Sequence, residues 1–294
     1  VNEPQLSIVI PSCVRTDLLQ RCLETVTFYA PPHTEVIVVD DASVGGCVSE
    51  TAALFPSVRT LRLSRRSGFC VAANVGIRAT TAPIIELLND DTEVTAGWAE
   101  AALQPFTNPQ VIAVAPLVLQ LDPVRRIAES PLVDSAGDEY DRGGFARKRF
   151  HGVPLNADHK MWTSGPVWGV SATAGVYRRS ALFDAGLFPE HFGAYFEDVD
   201  LSHRLRKYGE VWFEAASVVW HRVSASYGRK PTRRVLEQQS GNEERVFWRN
   251  TRGRALWSAI PRHVAVIAGK AIRRIQEGQF LPWSIGRLRV WCGG

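Results

Sequence analysis

The stretch Ile84-Ile85-Glu86-Leu87-Leu88-Asn89-Asp90-Asp91-Thr92 is an apolar, strand-like run that ends in two adjacent carboxylates. An oxygen-rich pair at a strand end is a natural seat for a hard divalent cation. Extended backbone sends neighbouring side chains to opposite sides, so one acid can face a metal while the other faces a ribose or the sheet edge. Taken alone, the pair reads equally well as a turn cap.

Upstream, Leu6-Ser7-Ile8-Val9-Ile10-Pro11 reads as a buried first strand. Asp17 to Phe28 places Leu18, Leu19, Cys22, Leu23 and Val26 on one helical stripe, and Glu35 to Asp41 is a second strand ending in acids. This strand, helix, strand order predicts an α/β protein with a parallel sheet, whose ligands bind beyond the carboxyl ends of the strands. Asp40 and Asp41 stand at such an end. A carboxylate there accepts hydrogen bonds from a base imide or a ribose hydroxyl, or else caps the next helix. Arg65-Arg66-Ser67-Gly68-Phe69 is a basic turn before a helix carrying Asn74 and Gly76. Two arginines beside helix amides suit a diphosphate, and a solvated basic turn is the alternative. No GxGxxG or GxxxxGK[ST] spacing occurs, so a dinucleotide dehydrogenase or a P-loop NTPase lacks its sequence support.

Downstream, Trp98 to Phe106 predicts a helix and Val111 to Pro116 a buried strand. Residues 120–160 read as an irregular polar insertion on the acceptor side, with Arg125-Arg126 and Arg147-Lys148-Arg149 in it. The region from Trp162 to His221 is expected to meet a second substrate. Glu197 and Asp198 fall near the amino end of a helix, where the dipole keeps carboxylates ionised. His221 ends an apolar strand and becomes a metal contact if the fold brings it beside Asp91.

The 294 residues suffice for a full core, and 45% hydrophobic with 22% charged residues excludes wholesale disorder. No uninterrupted apolar run reaches the roughly 18 residues of a spanning helix. The chain opens on Val1 and its one methionine is Met161, which fits a piece of a longer polypeptide. Five cysteines without a CxxC pair suggest neither a zinc knuckle nor a disulfide framework, so a reducing cytosol is expected. The net charge of +4 hides an asymmetry. Residues 222–294 hold 15 Arg and Lys against 4 Glu, or +11, which leaves −7 for residues 1–221. From Pro261 onward Val264, Ile267, Ala271 and Ile275 follow one face of a basic amphipathic helix. Such a helix lies on anionic lipid, packs back on the body or joins a second subunit. Nucleic acid is not expected, since no reader motif accompanies the charge.

In this order, Leu6 to Pro11, Val38-Val39-Asp40-Asp41-Ala42-Ser43, Gly68-Phe69 with Asn74-Val75-Gly76, Leu88 to Thr92, Phe196-Glu197-Asp198-Val199-Asp200-Leu201 with Arg204, and Val218 to His221 resemble the family 2 glycosyltransferases, in their rhamnosyltransferase-like branch. The resemblance covers about residues 6–221. It implies a GT-A fold, a Rossmann-like and mostly parallel sheet flanked by helices, with a C-terminal helical extension. Residues 1–221 would form the catalytic domain (1–116 the nucleotide-sugar half, 117–221 the acceptor half), and residues 222–294 the basic extension.

The resemblance also implies roles. Asp41 would contact the nucleobase in a pocket lined by Pro11 and Ser12 with Asp40 nearby, and Arg66, Gly68, Asn74 and Asn89 would complete the nucleotide site. Asn89-Asp90-Asp91 occupies the DXD position, with Asp90 toward ribose or metal, Asp91 the metal ligand and His221 a second metal contact. Asp198 would be the catalytic base, and Glu197, Trp168 and Gly169 would meet the acceptor. Cys13-Val14 and Arg66 depart from the family pattern, which bears on the donor base and sugar. The implied activity is inverting transfer, with Mn2+ or Mg2+, from a nucleoside-diphosphate sugar to a hydroxyl of a glycan or lipid-linked glycan in cell-surface polysaccharide synthesis. The implied place is the cytoplasm, peripheral at the inner face of the membrane. The alternative is a non-catalytic nucleotide-sugar or glycan-binding module of the same fold.

Overall fold

The structure, a computed structural model, describes residues 4–121, 130–156, 162–222 and 231–292. Arg125-Arg126 lies outside them. Strand β1 (Leu6–Ser12) leads through helix α1 (Thr16–Tyr29) to β2 (Glu35–Asp40), then α2 (Cys47–Ala52), β3 (Val58–Arg62), α3 (Phe69–Ala79) and β4 (Ile84–Leu88). Strand β5 (Thr92–Val94), helix α4 (Trp98–Leu103) and the long β6 (Val111–Gln120) follow. Next come β7 (Val133–Ser135), β8 (Asp138–Asp141), β9 (Phe145–Lys148), β10 (Gly165–Pro166), β11 (Ala174–Arg178), α5 (Arg179–Asp184), α6 (Glu197–Leu205) and β12 (Glu210–His221). Three helices, α7 (Arg233–Asn250), α8 (Gly253–Gln276) and α9 (Phe280–Trp291), complete the described chain.

The main sheet runs β10-β12-β6-β11-β4-β1-β2-β3. Strands β4, β1, β2 and β3 are parallel, β11 lies antiparallel between β4 and β6, and β12 is parallel to β6. Alternation explains why both faces are covered. Val9, Ile37, Val39, Ile85 and Leu87 enter one buried cluster, and their neighbours Ile8, Ile10, Val38, Ile84 and Leu88 enter the other. Because β2 and β3 lie to one side of β1 while β4 lies to the other, the carboxyl ends of β1 and β4 flank a crevice.

Two expectations are corrected here. The insertion after residue 120 is not irregular throughout: β7 pairs with β6, and β8 and β9 form an antiparallel hairpin. The helix expected to open at Pro261 begins at Gly253, with the proline inside it. Pro261 removes one backbone donor but sits on the exposed side. Beyond residue 221, α7 packs back onto the loop ahead of α6. Within it, Nδ2 of Asn242 lies 2.9 Å from each of the carbonyl oxygens of Phe192, Ala194 and Tyr195. Its buried Glu243 and Glu244 are gripped by Arg287 of α9, which ties the terminal helices to the body.

Candidate active site

The donor side is built from strand ends. Ser12, the last residue of β1, donates its hydroxyl to Asp90 Oδ2 at 2.7 Å, across the crevice between β1 and β4. Arg15, just beyond β1, places one guanidinium nitrogen 2.6 Å from Asp90 Oδ1 and the other 2.5 Å from Asp91 Oδ2. Burial works against the Arg15 charge, but Asp90 and Asp91 outweigh it and hold its pKa above the usual value. Burial pushes Asp90 up to about 6 despite Arg15 and Ser12. Arg15 was not singled out from sequence. Its only signal was its place, a basic residue three positions past a strand that ends at a topological switch.

Asp91 Oδ1 is different. It is buried without a hydrogen-bond partner and lies 3.3 Å from His221 Nε2. The antiparallel pairing of β12 with β5 makes that meeting, since it registers His221 against Thr92. On the far side of the ring, Nδ1 of His221 is 3.0 Å from Asp134 Oδ2. Burial opposes ionisation of Asp134, yet His151, His221 and Lys148 outweigh it and hold its carboxyl far below the usual range. An ionised carboxylate only accepts, so Nδ1 carries a proton; Asp134 and Asp91 outweigh burial and raise the His221 pKa, so that without a cation a second proton on Nε2 faces Asp91 Oδ1. The two atoms at that separation call for a proton or a cation between them. A hard carboxylate oxygen and an imidazole nitrogen, the latter oriented by a second carboxylate, fit a divalent ion. Among the described residues no three His, Cys, Asp or Glu side chains converge as a metal cage. The remaining positions would therefore fall to phosphate oxygens and water. Asp90 is engaged on both oxygens, by Ser12 and by Arg15.

The nucleotide set divides. Asp41 Oδ1 accepts from the Ser67 amide at 2.6 Å and Oδ2 from the Gly68 amide at 2.9 Å, so the turn before α3 is docked on Asp41. Those amides, expected for a diphosphate, are engaged within the protein. Pro11 is buried in β1, and Arg66 is exposed at the mouth beside Cys13, whose thiol is pushed up by burial. Asn89 is tied by its backbone amide to the Thr173 carbonyl at 2.9 Å. Two residues of the set take structural duties. Asp40 is fully buried and spends its oxygens on Ser43, Ser49 and Arg62, the capping role. Asn74 spends its amide on the backbone of Phe188, accepting at 3.0 Å and donating at 2.9 Å.

On the acceptor side, Asp198 sits in the first turn of α6. Its Oδ2 accepts from the Ala172 amide at 3.1 Å and its Oδ1 from the Val199 amide at 2.8 Å. Glu197 and Asp138 are both buried, and burial together with the charge of Asp198 pushes their carboxyls well above the usual range. Asp198 is raised by burial too, but the amides of Ala172 and Val199 pull it back. Asp198 is thus the acid whose charge two backbone amides support. Glu197 Oε2 is buried and unpartnered. Asp138 escaped sequence reading because it lies in the insertion, and the hairpin delivers it. Trp168 and Gly169 take packing duties beside this site. The Trp168 ring stacks on Tyr140 at 4.9 Å, and a Cβ on Gly169 would come within 2.8 Å of Ser202 Oγ on α6.

The loop into α6 is strained. Tyr195 and Phe196 both take left-handed backbone, with φ of 70° and 65°, which costs a non-glycine residue about 1 kcal/mol or more. Asn242, Gln238 and the buried Asp200 pairing with Arg204 and Arg249 hold it there. The adjacent residues Ala172 and Thr173 join the two sides: one amide holds Asp198 and the next carbonyl holds Asn89.

Strand-end carboxylates at the switch of a curled, mostly parallel sheet define a GT-A fold. Solved structures agree on that fold. With GalNAc-T7, crystallised with UDP, GalNAc and Mn2+, the TM-score is 0.62 at 20% identity, covering 83% of this chain and 48% of that one. With the mannosyltransferase PcManGT of Pyrobaculum calidifontis, in complex with GDP-Man and Mn2+, it is 0.62 at 15% identity, covering 100% and 89%. The chain belongs to glycosyl transferase family 2, whose sequence profile matches residues 7–183, and it is a glycosyltransferase by that membership. It is 26% identical over 231 residues to the N-acetylglucosaminyl-diphospho-decaprenol L-rhamnosyltransferase of Mycobacterium tuberculosis, covering 72% of this chain and 74% of the relative. With the pre-mycofactocin glycosyltransferase of that organism it shares 29% over 194 residues, 63% of this chain and 37% of that longer relative.

Proposed function

We propose that this chain moves a sugar from a nucleoside-diphosphate sugar to a hydroxyl of a glycan or lipid-linked glycan acceptor, with inversion at the anomeric carbon. The observation that carries the reading is Asp198 at the amino end of α6, its carboxylate held by the backbone amides of Ala172 and Val199. The acceptor oxygen forms its bond to the anomeric carbon as the bond to the diphosphate breaks, and the hydroxyl proton passes to Asp198. One base suffices for a single displacement, and no second nucleophilic carboxylate is required. Glu197, its carboxyl pushed up by burial and by the charge of Asp198 and its Oε2 without a partner, would hydrogen-bond the acceptor sugar.

Asp91 and His221 would hold a divalent ion, with Asp134 fixing the imidazole. A divalent ion held there would supply positive charge to the diphosphate leaving group. Arg15 bridges Asp90 and Asp91, keeping the paired carboxylates in place, and Asp41 with the docked 67–68 turn shapes the base pocket. Relatives whose names specify nucleotide-sugar or lipid-diphosphate chemistry support this substrate class.

The test is Asp198→Asn. It should keep binding of nucleoside-diphosphate sugars, measured by calorimetry across uridine, thymidine and guanosine donors with Mn2+, and lose transfer by roughly 100-fold or more. Undiminished turnover would remove Asp198 as the base. Failure of the parent chain to turn over any donor while still binding one would favour a non-catalytic module.

A further inference from the structure

Helix α8 is 24 residues long, yet only Ala259 and His263 in it are buried. Trp257, Val264, Ile272 and Ile275 are exposed to 76%, 59%, 60% and 61%. At 100° per residue these four fall within an arc of about 80°, so they form one apolar ridge about 27 Å long. Residues 261, 265 and 268, which lie on or beside the same arc, are Pro, Ala and Ala, all exposed. Helix α9 adds Leu281 and Leu288, exposed to 63% and 49%. An uninterrupted ridge of this kind is a docking surface and not the scattered apolar exposure of ordinary proteins.

Charge identifies the partner. Helix α8 carries Arg254, Arg262, Lys270, Arg273 and Arg274 and no acid, and Glu277 is the single acid in residues 253–291. Arg254 stands at the edge of the ridge and is exposed, while Arg262 and Arg273, with side chains 65% and 77% exposed, lie further round the helix in ion pairs with Asp141 and Glu277. The opposite side is pinned to the body. His263 stacks on Phe247 at 3.6 Å and bonds Glu244, and Lys270 pairs with Glu243. The ridge is therefore presented outward by a fixed helix.

We propose that this face docks flat on an anionic phospholipid bilayer. Trp257 and the aliphatic ridge enter the headgroup boundary, where Arg254 at the ridge edge meets lipid phosphates and the net positive charge of the helix favours an anionic surface. A second copy of the chain fits less well, because face-to-face pairing would oppose two faces of net positive charge. Insertion across the bilayer is not the mode, since no helix among the described residues is long and apolar enough to span it. The proposal does not depend on the transfer chemistry, and it fixes the height at which the active site would meet a lipid-linked acceptor.

The experiment is flotation of the full chain with phosphatidylcholine vesicles containing about 30% phosphatidylglycerol, against pure phosphatidylcholine, at about 0.1 M salt. Binding should favour the anionic vesicles by roughly tenfold and weaken as salt rises. Trp257→Glu with Ile272→Glu should abolish flotation while the circular dichroism and melting temperature match the parent. If that pair does not fold, Val264→Ser with Ile275→Ser serves instead, and should weaken flotation severalfold. Equal flotation with neutral vesicles, unchanged flotation of a folded ridge variant, or a solution dimer that the same variant dissolves would overturn the proposal.

Discussion

Asp134 holds the imidazole of His221 at 3.0 Å, and so turns the other ring nitrogen toward Asp91. Neither residue does this alone. The strand that carries Asp134 was read as loop from sequence, and His221 arrives from the far end of β12.

Asp134→Ala should free the His221 ring and leave the fold intact. The concentration of Mn2+ needed for half-maximal donor binding should rise by roughly 10 to 100-fold, the range seen for lost outer-shell partners. Calorimetric titration of the nucleotide-sugar at several Mn2+ concentrations measures it. An unchanged Mn2+ requirement would remove Asp134 from the metal shell.

Arg15→Leu leaves two adjacent carboxylates without their bridge. Because Arg15 is partly exposed, the loss should be modest, about 1–2 kcal/mol in metal-free buffer. A divalent ion would restore part of it by replacing the missing positive charge. Thermal unfolding with chelator and with Mn2+ should thus show a larger deficit in chelator, and equal deficits would separate Arg15 from the cation.

Asn242→Leu removes the amide that gathers three carbonyls ahead of α6. Unsatisfied buried carbonyls cost about 1–3 kcal/mol, and the strained Tyr195-Phe196 segment is expected to relax. The transfer rate should fall by roughly tenfold or more, with donor affinity unchanged, since Asp41 and Asp91 lie on other elements. Steady-state kinetics beside donor calorimetry distinguishes this from global destabilisation, which would move both.

Glu86 lies inside β4 with its carboxylate 3.1 Å from Trp98 Nε1, and burial pushes its pKa from 4.5 up to about 8. Between those two values the folded chain keeps a proton that the unfolded chain releases, so stability falls as pH rises through that window. Glu86→Gln keeps an acceptor for Trp98 and removes this slope. The variant should gain on the order of 2–4 kcal/mol relative to the parent at pH 8, compared with pH 5. Chemical denaturation at both pH values checks it.

The sequence by itself determined the sheet and its chemistry-bearing ends. Period-two apolar runs closed by acids placed Asp41, Asp90 and Asp91 beyond strands, and a first-turn position set Asp198 on a helix dipole, because these are local signals carried by neighbouring residues. Tertiary structure alone decided which of them work together. Arg15 bridging Asp90 and Asp91, Asp134 behind His221, Asp138 beside Asp198 and Asn242 under the 192–196 loop join residues from separate elements through sheet order and register. The same pairings turn Asp40 and Asn74 to structural duties, Asp40 buried on Ser43, Ser49 and Arg62 and Asn74 on the backbone of Phe188. The apolar ridge of α8 was visible as a pattern, but only the fold showed that it points away from the body.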